Sequence, residues 1–287
     1  MPKDIDSTKK EEGKLLTFLY RTIPGRICLK LLASRPLSKV AGAFLDSPLS
    51  CFLIGPFLKK NKIDMEEYLK EDYHCFNDFF CRRINPKKRP VDMHKEALIS
   101  PCDGLLSVYE IKKDTVLPIK QSKYRVSDLL GKDKVSREFR DGYCLVFRLC
   151  VNHYHRYCYL DGGRKGRNVF LPGQLHTVRP IALEKIPVFV RNCREYTIMD
   201  TDNFGKVAQI EVGAMLVGKI HNNNQEACFL RGQEKGRFLY GGSTIVVLLR
   251  KEAVVLRDDL RRTINQGIEH PVKMGEKIGR KKTDDDL

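Results

Sequence analysis

The feature that most constrains this chain is a change in hydrophobic period near Pro86. Before it, Leu15, Leu16, Phe18, Leu19, Ile23, Ile27, Leu31 and Leu32 recur at helical spacing, with Pro24 breaking or kinking the run, and residues 14–80 read as helical. From Ile99 onward, short β-branched and aromatic runs alternate with turns containing Gly, Pro and Asn. The runs predict strands over Leu105–Ile111, Tyr143–Val151, Val188–Arg191, Ala208–Val212, Met215–Ile220, Ala227–Arg231 and Thr244–Leu249, with a turn at Asn222, Asn223 and Asn224. No repeats are visible, and the tail Gly279–Leu287 reads as solvated. The expectation is an α+β fold: N-terminal amphipathic helices over residues 1–70, then a single β-rich domain over 71–287.

Lys14, Arg21, Arg26, Lys30 and Arg35 lie between the apolar positions of the first helices. Such a segment can lie in a bilayer interface with its cations at lipid phosphates, although an amphipathic helix more often packs on its own protein. The formal charge of +16 favours nucleic acid, anionic lipid or an acidic substrate as partner, and charge alone does not choose among them. The lysines and arginines are spread along the chain and no nucleic-acid motif is present, which argues against nucleic acid. The longest apolar stretch, residues 40–58, contains Asp46, Pro48, Gly55 and Pro56, so no membrane-spanning helix is expected. The ten cysteines are scattered without a CxxC pair, and the charged N-terminus lacks the apolar core of a secretory signal. Reduced thiols in the cytosol are the simplest reading.

The chemistry is suggested by Phe238–Leu249, FLYGGSTIVVLL. A serine hydroxyl can attack the carbonyl that precedes it and shift the acyl group from nitrogen to oxygen. The ester then eliminates to dehydroalanine, which hydrolyses to a pyruvoyl group. Paired glycines supply the bent backbone and the uncrowded carbonyl that this needs. By itself Gly-Gly-Ser-Thr before a strand is a turn. Nor is it a GxSxG nucleophile elbow, because Ile245 stands where the second glycine belongs.

Other segments give it meaning. GGST with its β-branched run, and Ser100-Pro101-Cys102-Asp103-Gly104 upstream, resemble the phosphatidylserine decarboxylases. Phe76–Pro90 (FNDFFCRRINPKKRP), Asn152–Gly162 (NHYHRYCYLDG) and Leu175–Ala182 (LHTVRPIA) follow in family order, with Arg191-Asn192 and Glu211-Val212-Gly213-Ala214 beyond. The resemblance covers roughly residues 70–250.

It implies an enzyme that cuts itself between Gly242 and Ser243 into residues 1–242 and 243–287, which stay together as a heterodimer. Ser243 becomes the covalent pyruvoyl cofactor, whose carbonyl condenses with the headgroup amine of phosphatidylserine and takes up electrons as CO2 leaves. The product is phosphatidylethanolamine. Asp103, His155 and Ser243 carry over as the self-processing residues, with the imidazole as base and the carboxylate orienting it. In many relatives a second histidine follows three positions later; here that position is Cys158, whose thiol is a poor base near neutral pH. His155 is therefore expected to do both jobs, with His153, His176 and Cys158 as possible supporting residues.

A zinc site at Cys150, His153, His155 and Cys158 is not expected. Its spacing matches no common finger, and strand alternation would set the two histidines opposite the two cysteines. The implied partners are an anionic phospholipid and a membrane surface, on the cytoplasmic face of a prokaryotic cell membrane. Homo-oligomerisation is left open. Two rival readings remain at this level: a pyruvoyl-dependent decarboxylase of a related serine phospholipid or amino acid, and a non-catalytic basic membrane-binding protein.

Overall fold

The computed structural model describes residues 14–112, 116–119, 122–131, 134–178, 180–183, 186–214, 219–239 and 243–283. Helices Lys14–Arg21, Ile23–Leu32, Arg35–Leu45 and Ile54–Asn61 open the chain. Pro24 begins the second helix, in the first turn, where a missing N–H costs no hydrogen bond; Pro36 does the same for the third. The helical expectation for 14–80 is interrupted after Asn61. From there to the short helix Phe76–Phe80 the only helical turn is Met65–Glu67, of 3-10 type.

The body is built on an antiparallel sheet with nine strands among the described residues. Its order runs Ala227–Phe229, Gly163–Lys165, Arg194–Thr201, Gly205–Val212, Ser243–Leu249, Tyr143–Leu149, Gly104–Glu110, His270–Val272, and Val169–Leu171 also pairs with Arg194–Thr201. Alternation divides the apolar side chains between two faces. Leu106, Leu145, Phe147, Ile245 and Val247 face Tyr157 and Phe238 of a second, three-stranded sheet, and Tyr159 just beyond it. Cys144, Val146, Ile210, Val246 and Leu248 face Leu19, Tyr20 and Leu29 of the N-terminal helices. A third cluster joins Leu45 to Phe76, Phe79 and Phe80, with Phe57 edge-on to Phe76 at 5.1 Å.

Most predicted strands are present with shifted ends, and Arg194–Thr201 is a strand that the sequence reading missed. Val188–Arg191 is a correction: it forms a short helix. Its β-branched content favours a strand, but the N–H groups of Val190 and Arg191 both bond the Pro187 carbonyl, and Val188 and Phe189 plug the core under the helices. Met215–Gly218 of another predicted strand lie outside the described residues, and the neighbouring strand is Ile220–Asn222. The asparagine run ends that strand at Asn222 and bends at Asn223, with no hydrogen-bonded turn over the three residues. The strands it joins, Ile220–Asn222 and Ala227–Phe229, belong to different sheets. The strand Tyr143–Leu149 stops before the histidines, so the argument from alternation of His153 and His155 does not apply. Residues 150–155 cross from the large sheet to the small one.

Candidate active site

Two stretches of chain connect the two sheets. One chain leaves the large sheet at Leu149 and enters the small sheet at Arg156; the other leaves the small sheet at Phe238 and re-enters the large one at Ser243. Ser243 pairs with Leu149, and the Phe238 N–H donates to the His155 carbonyl at 2.9 Å. His155 and Ser243 thus mark opposite ends of the same gap. By register the Ser243 side chain shares a face with Leu149, Ile245 and Phe147, towards the small sheet. It is fully buried, and its hydroxyl makes no hydrogen bond among the described residues. Gly242, the other half of the expected scission site, lies outside the described residues.

The SPCDG segment ends at the same edge. Gly104 opens a strand whose next residue, Leu105, pairs with Arg148, which in turn pairs with Thr244. The strands run close here: a Cβ on Gly104 would sit 3.2 Å from the Arg148 carbonyl oxygen. Asp103 is buried, and its Oδ1 accepts from Arg89 Nη1 at 2.5 Å and from the Met274 N–H at 2.8 Å.

Two backbone contacts assign the histidine tautomers. A carbonyl only accepts, so the 2.9 Å contact between His155 Nδ1 and the His153 carbonyl puts the proton on Nδ1. In neutral His155, Nε2 is then the basic atom. The Cys150 N–H donates to His153 Nδ1 at 3.1 Å, so neutral His153 carries its proton on Nε2 and acts there as a donor. Burial holds His153 below its ordinary 6.5, opposed by the nearby Asp103 carboxylate.

Cys158 is buried in the small sheet, its N–H bonded to the Pro101 carbonyl at 2.8 Å. Burial pushes its thiol up to about 12, with Asp103 adding to the rise, so it is neutral at physiological pH. His176 sits on the other side. Its ring contacts Gln174 Oε1 at 2.9 Å and the Tyr20 hydroxyl at 3.5 Å, and Tyr20 belongs to the helix-covered face. Asp103 sits near His153 and Cys158, His155 and Ser243 lie on either side of the crossing between the two sheets, and His176 lies under the helices. Among the described residues no group of three or more His, Cys, Asp or Glu is arranged to hold a metal ion.

The aromatic-then-RP segment turns out to be the scaffold of this gap. The Phe80 ring lies 4.1 Å from the His155 ring, the Cys81 carbonyl accepts from Arg156 Nε at 2.7 Å, and Arg89 reaches Asp103. A buried ion pair was also missed: Lys235 Nζ donates to Glu211 Oε1 at 2.8 Å with both side chains fully enclosed. Glu211 pairs with Ile245 and so faces the same side as Ser243. Burial pushes its carboxyl above the ordinary value, and Lys235 pulls against that.

The model of the family described as phosphatidylserine decarboxylase matches residues 76–280. The chain belongs to the phosphatidylserine decarboxylase family. It is 46% identical over 278 residues to the phosphatidylserine decarboxylase proenzyme 2 of Clostridium acetobutylicum, covering 96% of this chain and 95% of the relative. A phosphatidylserine decarboxylase proenzyme of Ruminiclostridium cellulolyticum is 41% identical, covering 96% and 94%. One of Clostridium botulinum is 38% identical, covering 98% and 97%. This chain is accordingly a self-processing carboxy-lyase that converts phosphatidylserine to phosphatidylethanolamine and CO2.

Proposed function

We propose that Ser243 is the residue at which the chain cuts itself, that it becomes a pyruvoyl group, and that His155 Nε2 is the base. One observation carries this reading: a serine hydroxyl, fully enclosed and without a hydrogen bond among the described residues, opens a central strand at the gap that also holds His155. Leaving a buried hydroxyl unsatisfied costs roughly 1–3 kcal/mol, a cost that makes sense for a nucleophile. His155 takes the hydroxyl proton as Oγ attacks the Gly242 carbonyl. The C–N bond then breaks as the Ser243 nitrogen takes up a proton, and elimination removes the Ser243 Cα proton while the ester oxygen leaves with Gly242 as its carboxylate. Water converts the resulting dehydroalanine to a ketone with loss of ammonia. Asp103 stabilises positive charge on the histidine motif, and Cys158 takes no part. When formed, the pyruvoyl carbonyl supplies covalent capture of the lipid amine and an acceptor for the electrons that CO2 leaves behind. His155, alternating between proton acceptor and donor, returns a proton to the substrate carbon.

Mass spectrometry of the purified chain tests this. The expected products are residues 1–242 and a 243–287 fragment with a blocked, carbonyl-bearing start, and Ser243→Ala leaves one uncut, inactive chain. An active, whole chain would falsify it.

The lipid substrate is met at a surface of the N-terminal helices, by peripheral docking on the cytoplasmic face of a bacterial membrane. Ile23, Ile27, Val40, Leu49 and Phe52 support this: they are between 63% and 76% exposed, in a region carrying Arg21, Arg26, Lys30, Lys39, Lys59 and Lys60. Among the described residues no single helix is long and apolar enough to cross a membrane; one pair, Pro36–Leu45 with Pro48–Asn61, passes by length and composition but is bent by 82°. Flotation of the protein with vesicles tests the docking. Phe52→Asp with Val40→Asp should abolish binding to phosphatidylserine vesicles, and undiminished flotation would remove this surface from the account.

A further inference from the structure

The Phe76–Pro90 segment ends in Arg89-Pro90, and the arginine bonds two carboxylates. Arg89 donates through Nη1 to Asp103 at 2.5 Å and through Nη2 to Glu67 Oε2 at 2.6 Å. Lys273 donates to Glu67 Oε1 at 2.7 Å, and the Met274 N–H donates to Asp103 Oδ1, the same oxygen that Arg89 holds. Charges alternate along one row: Lys273, Glu67, Arg89, Asp103. The Arg89 and Asp103 side chains are only 6% and 11% exposed, so water does little to screen the pair.

Each end of the grip is itself fixed. The Asn85 carbonyl accepts from the N–H groups of both Lys88 and Arg89, and Pro90 restricts the chain that follows. On the other side Ser100 Oγ donates to the Cys102 carbonyl at 2.7 Å, and the Gly275 N–H donates to the Ser100 carbonyl at 2.9 Å. A guanidinium holds its donors in a rigid plane, so it sets the direction of a carboxylate as well as its charge; an ammonium sets only the charge. Buried ion pairs add little net stability compared with apolar packing. The placement of this one, beside the histidine motif, calls for a role in geometry.

We propose that Arg89 is a positioning residue for self-processing. Its two-sided grip on Asp103 and Glu67 holds the Asp103 carboxylate in the orientation from which it serves the histidine motif during scission at Ser243. The inference rests on the role of Asp103 and Ser243 proposed above. It has a structural corollary: Lys273 and Met274 lie beyond the scission point, so the clamp draws on both product segments.

The test follows scission of full-length Arg89→Met, Arg89→Lys, Asp103→Asn and the Arg89→Met/Asp103→Asn double variant on denaturing gels, with thermal unfolding measured alongside. Arg89→Met should slow scission by about 100-fold, the scale on which a small misplacement of a reacting group acts. Arg89→Lys should recover part of that. Guanidinium chloride at a non-denaturing concentration should speed Arg89→Met but not Asp103→Asn, and sodium chloride should do neither. The double variant should be no slower than Asp103→Asn alone. A merely structural arginine would lower the unfolding temperature without guanidinium rescue and would add to the Asp103 defect; that result overturns the proposal. So does normal scission in Arg89→Met while Asp103→Asn is blocked, an outcome that leaves the Asp103 assignment intact. Normal scission in Asp103→Asn removes the underlying reading and this inference with it. Should Arg89→Met not fold, Arg89→Lys decides: scission at the unsubstituted rate overturns the proposal.

Discussion

Replacing Cys158 with alanine separates the two ways this chain could have adapted to a thiol where many relatives carry a second histidine. The thiol is fully enclosed and its pKa stands at about 12. At pH 7 only about one molecule in 10^5 would carry the thiolate, a handicap of roughly 7 kcal/mol for a general base. Cys158→Ala removes one buried sulfur and should cost about 1 kcal/mol of stability. The unfolding temperature should fall by only about 2–4 °C as a result. Scission followed by gel and by labelling of the new carbonyl, well below the unfolding temperature, should proceed at the unsubstituted rate. The pH profile gives a second reading. An imidazole base levels off above neutrality, whereas a thiolate base would give a rate rising with each pH unit up to the thiol pKa. Loss of scission in folded Cys158→Ala, or a rate still climbing in strong alkali, would refute the assignment of the base to His155.

Burial holds both His153 and His176 below their ordinary 6.5, so the unfolded chain binds more protons than the folded one as acid is added. Their contribution to stability is full above 6.5 and is lost as pH falls through the lowered folded values; thermal melts should show a falling unfolding temperature below pH 6.5, and a flat profile would contradict it. Lys235→Met strands the Glu211 carboxylate in a fully enclosed site and should cost about 3–5 kcal/mol in urea unfolding, with most of it recovered in the Lys235→Met/Glu211→Leu double variant. Additive losses in the double variant would show that the pair is not the source of the cost.

The switch from helical spacing to β-branched runs was readable because each pattern is local, and the strands at Gly205–Val212 and Ser243–Leu249 follow from it directly. The Val188–Arg191 helix was not readable, since its local preference is overruled by Pro187 and by the core it fills. For the site, the motifs named the residue types, several of which lie near the ends of neighbouring strands. They could not show which atoms meet. That Phe80 backs His155 and that Arg89 grips Asp103 depend on contacts between segments, and that the two histidines hold opposite tautomers depends on local contacts to backbone atoms that no residue pattern encodes. The reserve role given to His176 came from motif order alone, which carries no information about the face of the sheet on which a residue lies.

Every residue of Ser243–Leu249 is buried, and the strand is hydrogen-bonded on both sides, to Gly205–Val212 and to Tyr143–Leu149. A strand so placed cannot slide out without unzipping two ladders and opening both apolar layers. With scission before Ser243, as proposed above, the same two ladders would hold the new end in place, and trading that piece between molecules would require opening both apolar layers.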